Sequence, residues 1–296
     1  MYQISTKTSA NIPPLWLMDF DGTLKPFNAP VSYADISALK ELKELGATRV
    51  VATGRSVQGF ARDWAPALDI DYLISSSGLA TSRFGPEGPG EILRSYAFTA
   101  AEANLAINIA VDLKFGFFLS LPPPQTHIFY YSPPILDPPP CFQARVSQYG
   151  LADSLWDGSR EGPFGLVLIM TFPEDAPLAE SYYRSFAPEL SFVKSSSPYG
   201  DPAMWLEIYP PGVGKGPAAA ALAESLGLGP ADAVALGNDY NDESLLKWAQ
   251  YPFLVESAPQ SMLDLFERRL PPPPQGPLAR ALAHFRAEMG PEKDGA

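Results

Sequence analysis

Leu15-Trp16-Leu17-Met18-Asp19-Phe20-Asp21-Gly22-Thr23-Leu24 is the stretch that decides the fold. Four mostly large apolar residues run straight into two carboxylates, a glycine and a threonine. An unbroken apolar run of this length reads as a strand buried on both faces, as in a parallel sheet. The polar residues then fall at its C-terminal end, where open α/β sheets bind ligands. Asp19 and Asp21, two apart, would share a face if the strand continued. Gly22 lets the backbone turn close to a ligand. Two carboxylates crowded at a strand end invite a hard cation such as Mg²⁺.

Outward from this strand the pattern alternates. Tyr33–Leu45 has helical periodicity through Ile36, Leu39, Leu42 and Leu45, and Gly46 stops it. Thr48–Ala52 is a second β-rich run, ending at Thr53-Gly54-Arg55-Ser56, where Ser56 can cap the next helix. Asp71–Ser75 is a third strand, running into Ser76-Ser77-Gly78. Strand, helix, strand, helix, strand implies a parallel sheet with right-handed crossovers. The middle third loses this alternation. It offers helices at Ala100–Leu113, Gln143–Tyr149 and Leu178–Phe186, and strands at Phe115–Leu121, Thr126–Ser132, Gly165–Phe172 and Leu190–Ser195. Such a mixture suggests an α+β insert, placed at 97–200. Alternation returns with a strand at Ala203–Tyr209 and a helix at Lys215–Leu226. A strand at Ala233–Leu236 and a helix at Asp242–Ala249 follow. A strand at Tyr251–Glu256 and helices at Gln260–Arg269 and Pro277–Met289 complete the chain. The expected fold is therefore α/β, a doubly wound parallel-sheet, Rossmann-like core (1–96 and 201–296) interrupted by an α+β domain (97–200).

Composition narrows the function. The chain has 296 residues, 46% of them apolar, enough for two domains with sizeable cores. Its net charge of −12 suits no grip on a nucleic-acid backbone. A single cysteine, Cys141, excludes an internal disulfide and reads as a small apolar packing residue in a reducing compartment. Met1–Pro14 holds no apolar core of a leader, and no run reaches the ~18 apolar residues of a membrane helix. The expectation is a soluble cytoplasmic protein with no membrane partner. The 33 prolines cluster at Pro122–Pro124, Pro138–Pro140 and Pro271–Pro274, between periodic segments, and read as rigid loops.

Four polar clusters follow strands or loops of the alternating part: Asp19/Asp21/Thr23, Thr53-Gly54-Arg55, Lys215, and Asn238 to Asp242. Each alone could be a turn or a cap; together and in this order they point to one site. The order resembles the four motifs of the haloacid dehalogenase (HAD) superfamily, over nearly the whole chain. The insert lies between the second and third motifs, as in the C2-capped branch. Leu206-Glu207-Ile208-Tyr209-Pro210 before Gly212-Val213-Gly214-Lys215-Gly216 is similar to the Cof-type (IIB) subfamily, which includes sucrose-phosphate phosphatases and other sugar-phosphate phosphatases. The resemblance implies a Mg²⁺-dependent phosphomonoester hydrolase acting on a sugar phosphate or similar small metabolite. In it Asp19 would attack phosphorus and form an aspartyl-phosphate. Asp21 would protonate the leaving oxygen and then activate water. Lys215 would stabilise the transition state and the nucleophile. Thr53, through hydroxyl and backbone N–H, with Gly54, Arg55 and Asn241, would hold the phosphate. The metal set would be Asp19, the Asp21 carbonyl, Asn238 and Asp242.

One departure stands out. The family's fourth motif is usually Gly-Asp-x-x-x-Asp, and here Asn238 takes the first acidic position, with Asp239 displaced by one. Either Asn238 ligates through its amide oxygen or Asp239 substitutes for it; the spacing to Asp242 favours Asn238. Arg55 could meet phosphate or form a structural salt bridge, and Glu207 could hold Lys215 or face solvent. Trp205, Phe129, Tyr130 and Tyr131 could line a sugar pocket or simply pack. With His127 and His284 the only histidines, a histidine metal site is disfavoured. Two further functions stay open: a phosphomutase with the same residues, and a non-catalytic metabolite-binding protein suggested by Asn238 alone.

Overall fold

The strand β1 (Leu15–Met18) is fully buried and its side chains divide between two cores. Trp16 and Met18 enter one hydrophobic cluster, Leu15 and Leu17 another. That division is the physical reason for the unbroken apolar run. The structure is a computed structural model and describes residues 12–64, 68–135, 137–149, 155–158 and 162–289. After β1 come α1 (Tyr33–Glu44), β2 (Thr48–Ala52), α2 (Val57–Asp63) and β3 (Tyr72–Ser75). Next are the antiparallel strands β4 (Ala80–Gly85) and β5 (Gly88–Ser95). The chain then builds α3 (Ala100–Asp112), β6 (Phe117–Ser120), β7 (Phe129–Ser132) and α4 (Pro140–Tyr149). There follow β8 (Val167–Thr171), α5 (Ala176–Phe186), β9 (Ser191–Ser196) and β10 (Met204–Tyr209). It closes with α6 (Lys215–Ser225), β11 (Ala233–Gly237), α7 (Glu243–Trp248), β12 (Tyr251–Val255), α8 (Gln260–Leu263), β13 (Arg269–Leu270) and α9 (Pro277–Met289).

Two sheets result. The first has eight strands in the order β13-β12-β11-β1-β2-β3-β4-β5, parallel from β13 to β3. Helices α1, α2 and α9 cover one face and α6, α7 and α8 the other. This is the expected doubly wound core, and β1 is its switch point, with β2 on one side and β11 on the other. The inserted sheet has the order β7-β6-β8-β10-β9 and is antiparallel throughout. One of its faces packs Leu206, Ile208, Val167 and Ile169 against α3 and α5. The other carries Phe118, Leu168, Met170 and Trp205 under α4. Among the described residues no helix is long and apolar enough to cross a membrane.

Three expectations are corrected. The strand β10 lies in the inserted sheet, between β8 and β9, although the boundary at 200/201 assigns it to the core. Its residues are buried on both faces, so its apolar pattern mimics a core strand. The helix expected over 260–269 stops at Leu263, and Arg269–Leu270 pairs with β12. Pro271 disfavours helical backbone at Leu270, whose side chain is needed in the core. Residues 79–96, given no element by the sequence, form β4 and β5. The edge strand β5 is mostly exposed and lacks a hydrophobic rhythm.

Candidate active site

Asp19 leaves β1 at the switch point, buried, with its N–H donating to Leu236 O at 2.9 Å. Lys215, the first residue of α6, is buried beside it. Its Nζ donates to Asp19 Oδ1 at 2.7 Å, to Asp242 Oδ1 at 2.6 Å and to Asn241 Oδ1 at 3.5 Å. Burial alone would push the lysine toward neutrality; Asp19 and Asp242 overcome it and hold the pKa above the ordinary lysine value. The Asp19 pKa is pushed up to about 7, by burial first and the Asp242 charge second, against the pull of Lys215. Asp242 spends its other oxygen on the N–H groups of Asn238 (2.9 Å) and Asp239 (3.2 Å). Both of its oxygens thus accept hydrogen bonds, from Lys215 and from the loop backbone.

Asp21 faces Arg55. The guanidinium makes a fork to its carboxylate, 2.5 Å from Nε to Oδ2 and 2.7 Å from NH2 to Oδ1. It also bonds Asp63 and the Gly59 carbonyl, and lies 5.3 Å over the Phe20 ring. Of the two readings of Arg55, the salt bridge is the one seen. Thr53 is buried at the end of β2. Its N–H is committed to Ile74 O, which corrects the expectation that it donates to phosphate. Its hydroxyl accepts from Arg55 N at 3.1 Å and keeps its own hydrogen to donate. Gly54 is exposed beside Asn241 and Ser77: a Cβ there would lie 3.6 Å from Asn241 Nδ2 and 3.7 Å from Ser77 Oγ.

The metal question turns on Asn238. One terminal atom of its amide lies 3.1 Å from Thr23 Oγ1, from Asp19 Oδ2 and from the Asp21 carbonyl oxygen. With NH₂ at that point the amide donates to all three; with oxygen there, it completes a cluster of oxygens. Adjacent oxygens around an octahedral Mg²⁺ with bonds of about 2.0–2.1 Å stand about 2.9 Å apart. The donor set of Asp19 Oδ2, the Asp21 carbonyl and the Asn238 amide oxygen therefore fits that ion. Among the described residues no group of three or more His, Cys, Asp or Glu side chains could hold a metal, so an ion at this point would need the carbonyl and the amide as ligands. Gly22 is part of the fit: its φ is +78°, and a Cβ would come within 2.4 Å of the Asn238 amide. Asp239 turns away. Its carboxylate accepts from Ser196 N at 2.7 Å and Ser196 Oγ at 3.0 Å, at the end of β9.

Sequence reasoning assigned no role to Ser76 and Ser77. Both are buried with positive φ, 47° and 53°, a conformation costly for a residue with a Cβ. Ser77 Oγ donates to Glu207 Oε2 at 3.1 Å, and Tyr209 OH donates to the same oxygen at 3.0 Å. Ser76 Oγ lies 3.2 Å from Thr126 Oγ1. Glu207 therefore neither contacts Lys215 nor faces solvent; it joins the inserted sheet to the core. The available signal was a run of small polar residues ending a buried strand before Gly78. His284 packs against Phe253 and Phe285, away from these residues.

A family model described as haloacid dehalogenase-like hydrolase matches residues 16–267. Among solved structures, the chain is similar to BT1666 from Bacteroides thetaiotaomicron, studied among the phosphatases of that enzyme superfamily. The TM-score is 0.73 at 20% identity, over 94% of this chain and 97% of that one. It is also similar to the HAD subclass IIB sugar phosphatase BT4131, with TM-score 0.71 at 16% identity over 92% and 98%. A haloacid dehalogenase-like hydrolase from B. subtilis gives 0.68 at 18% identity over 92% and 99%. At these identities the likeness is one of fold. No protein with a curated description matches the chain.

Proposed function

The chain belongs to the family of haloacid dehalogenase-like hydrolases, and on that premise we propose that it is a Mg²⁺-dependent phosphomonoester hydrolase acting on a sugar phosphate or similar small metabolite. The observation that carries the reading is the strand-end carboxylate of Asp19. It is buried, held by Lys215 through Oδ1, and has Oδ2 3.1 Å from the Asn238 amide atom that lies equally far from the Asp21 carbonyl oxygen. Asp19 attacks phosphorus, the bond to the leaving oxygen breaks, and Asp21, protonated from solvent once it leaves the Arg55 fork, gives that oxygen its proton. Water then attacks the aspartyl-phosphate, Asp21 takes the proton from water, and Asp19 is released with inorganic phosphate. Lys215 stays charged throughout and faces the charge that builds on the phosphoryl oxygens, with the Thr53 hydroxyl and Asn241 as further donors. Mg²⁺ bound by Asp19, the Asp21 carbonyl and Asn238 would supply neutralisation of the phosphate charge and keep Asp19 ionised.

In this reading the inserted domain is a cap. Its bonds from Ser196 to Asp239 and from Glu207 to Ser77 support closure over the site and exclusion of bulk water. One structural neighbour, BT4131, is a sugar phosphatase, which supports the substrate class. The test is release of phosphate from p-nitrophenyl phosphate and from hexose phosphates with Mg²⁺. Asp19→Asn should abolish it while leaving the thermal midpoint near that of the wild type. Turnover within about tenfold of wild type in Asp19→Asn would exclude the covalent route.

A further inference from the structure

Arg145, on α4, is a half-buried guanidinium with no carboxylate partner among the described residues. Its Cζ lies 5.4, 5.0, 5.2 and 5.9 Å from the ring centroids of Phe118, Phe129, Trp205 and Tyr149. Among the described residues it has no ion pair or hydrogen bond, and its Nε is buried without a partner. Aromatic faces attract a cation, but they do not replace the hydrogen bonds and counter-charge that a half-buried guanidinium with a buried Nε normally has. Of the nearby acids, Glu207 accepts from Ser77 and Tyr209, and Asp201 accepts from Cys141 N through Oδ2 at 3.0 Å, while its Oδ1 is buried without a partner and makes no bond to Arg145. Burial pulls the Arg145 pKa below the ordinary arginine value, opposed by Tyr199 and Glu207.

Position gives the unpaired cation a meaning. Along β10 the residues Trp205, Glu207 and Tyr209 alternate onto one face, opposite Leu206 and Ile208, which pack beneath α3 and α5. Glu207 on that face reaches Ser77, and Ser77 lies beside Gly54 of the proposed phosphate loop. Arg145 stands over Trp205, one pleat beyond Glu207, a step of about 6–7 Å.

We propose that Arg145 is the specificity determinant for the leaving group, pairing with a second acidic group, carboxylate or phosphate, on the far end of the phosphoester substrate. The aromatic side chains around it flank the body of that molecule and exclude water, which strengthens the pair. This rests on the phosphatase reading above and narrows its substrate class to phosphoesters that carry two anionic groups.

The experiment compares kcat/KM for matched esters of the full-length protein. Glycerol 3-phosphate is set against 3-phosphoglycerate, and glucose 6-phosphate against 6-phosphogluconate and glucose 1,6-bisphosphate. Wild type should prefer the doubly acidic member by about tenfold or more, mainly through KM, as a charge-assisted hydrogen bond gives. Whether 6-phosphogluconate or the bisphosphate gains more identifies the second group. Arg145→Met, which keeps apolar bulk among the rings, should erase the preference, and Arg145→Lys should retain part of it. Absence of preference in wild type, or a preference that survives Arg145→Met, would overturn the assignment. Should Arg145→Met fail to fold, the wild-type preference and Arg145→Lys decide. Should wild type release no phosphate from any ester or from p-nitrophenyl phosphate, the phosphatase reading falls by itself. Calorimetric binding of the same pairs then judges Arg145.

Discussion

Asn238→Asp probes the residue at which this chain leaves the pattern of its family. The amide atom replaced lies 3.1 Å from Asp19 Oδ2. Two full charges at that separation, at an effective dielectric constant of about 20, repel by about 5 kcal/mol. That is the upper limit, because a proton can neutralise one of them. Asp19 already sits at about 7, so at slightly alkaline pH its protonation costs only about 1 kcal/mol. Proton uptake caps the cost, so the metal-free variant should be less stable than wild type by about 1 kcal/mol, well below that limit. Mg²⁺ should reverse the order, since its affinity rises with ligand charge. Each tenfold gain in affinity adds about 1.4 kcal/mol of stability at saturating metal. The assay is thermal unfolding across a Mg²⁺ titration, read together with calorimetry in two buffers of different ionisation heat to detect the displaced proton. An identical Mg²⁺ response in wild type and Asn238→Asp, with severe loss of the response in Asp239→Asn, would refute the reasoning and move the ligand to Asp239.

Three further outcomes are expected. Gly22→Ala places a Cβ 2.4 Å from the Asn238 amide at a φ of +78°; it should destabilise by about 1–2 kcal/mol or more and raise the Mg²⁺ needed for half-maximal activity. Arg55→Met removes the fork on Asp21 and should lower kcat by about 10–100-fold for alkyl phosphates but less for nitrophenyl phosphate; an equal fall on both would place Arg55 at the phosphate instead. Asp35 is fully buried with Oδ2 unpartnered and its pKa raised to about 6 by burial, so the folded state binds the proton more tightly and stability falls as pH rises from about 4 to 6. Asp35→Asn keeps the acceptor for Ala279 N, and chemical denaturation should show it about 1–3 kcal/mol more stable than wild type at neutral pH, with no such gain below about pH 4.

What could be read from the sequence follows which interactions are local. The run Leu15–Met18 is apolar because both of its faces are buried, so strand and sheet type were legible together. Asp19, Thr53 and Asn238 come together because parallel strands bring their C-terminal ends to one edge, a property of the alternation rather than of any contact. Pairing partners are not local. Trp205 and Glu207 read equally well beside β11 or β8, and only the register Trp205↔Met170 and Glu207↔Leu168 places β10 in the insert. Side-chain direction is not local either. Asp239 could have turned toward the metal set, but Ser196, far off in sequence, takes both of its oxygens. Thr53 lost its backbone donor to Ile74 for the same reason: ladder hydrogen bonds are assigned by the neighbouring strand.

These distant partners share a direction. Asp239 follows Asn238 and reaches Ser196 of the insert; Ser77 lies beside Gly54 and reaches Glu207; Ser76 reaches Thr126. The loops that shape the site thus also supply the bonds that hold the inserted sheet over it. Opening the insert must release the Asp239 carboxylate and the Ser77 hydroxyl. A hydrogen bond to a charged group contributes about 1.5–3 kcal/mol when shielded and less when exposed, as the Ser196 pair is. Release of both costs little enough for exchange of small substrates. Asp239 adjoins Asn238 and Ser77 lies beside Gly54, so metal affinity and phosphate affinity should both depend on closure. Ser196→Ala tests that dependence at a position away from the metal oxygens. It keeps the N–H bond to Asp239, loses the Oγ bond, and should raise KM for a sugar phosphate more than it lowers kcat. An unchanged KM would show that closure and phosphate binding are independent.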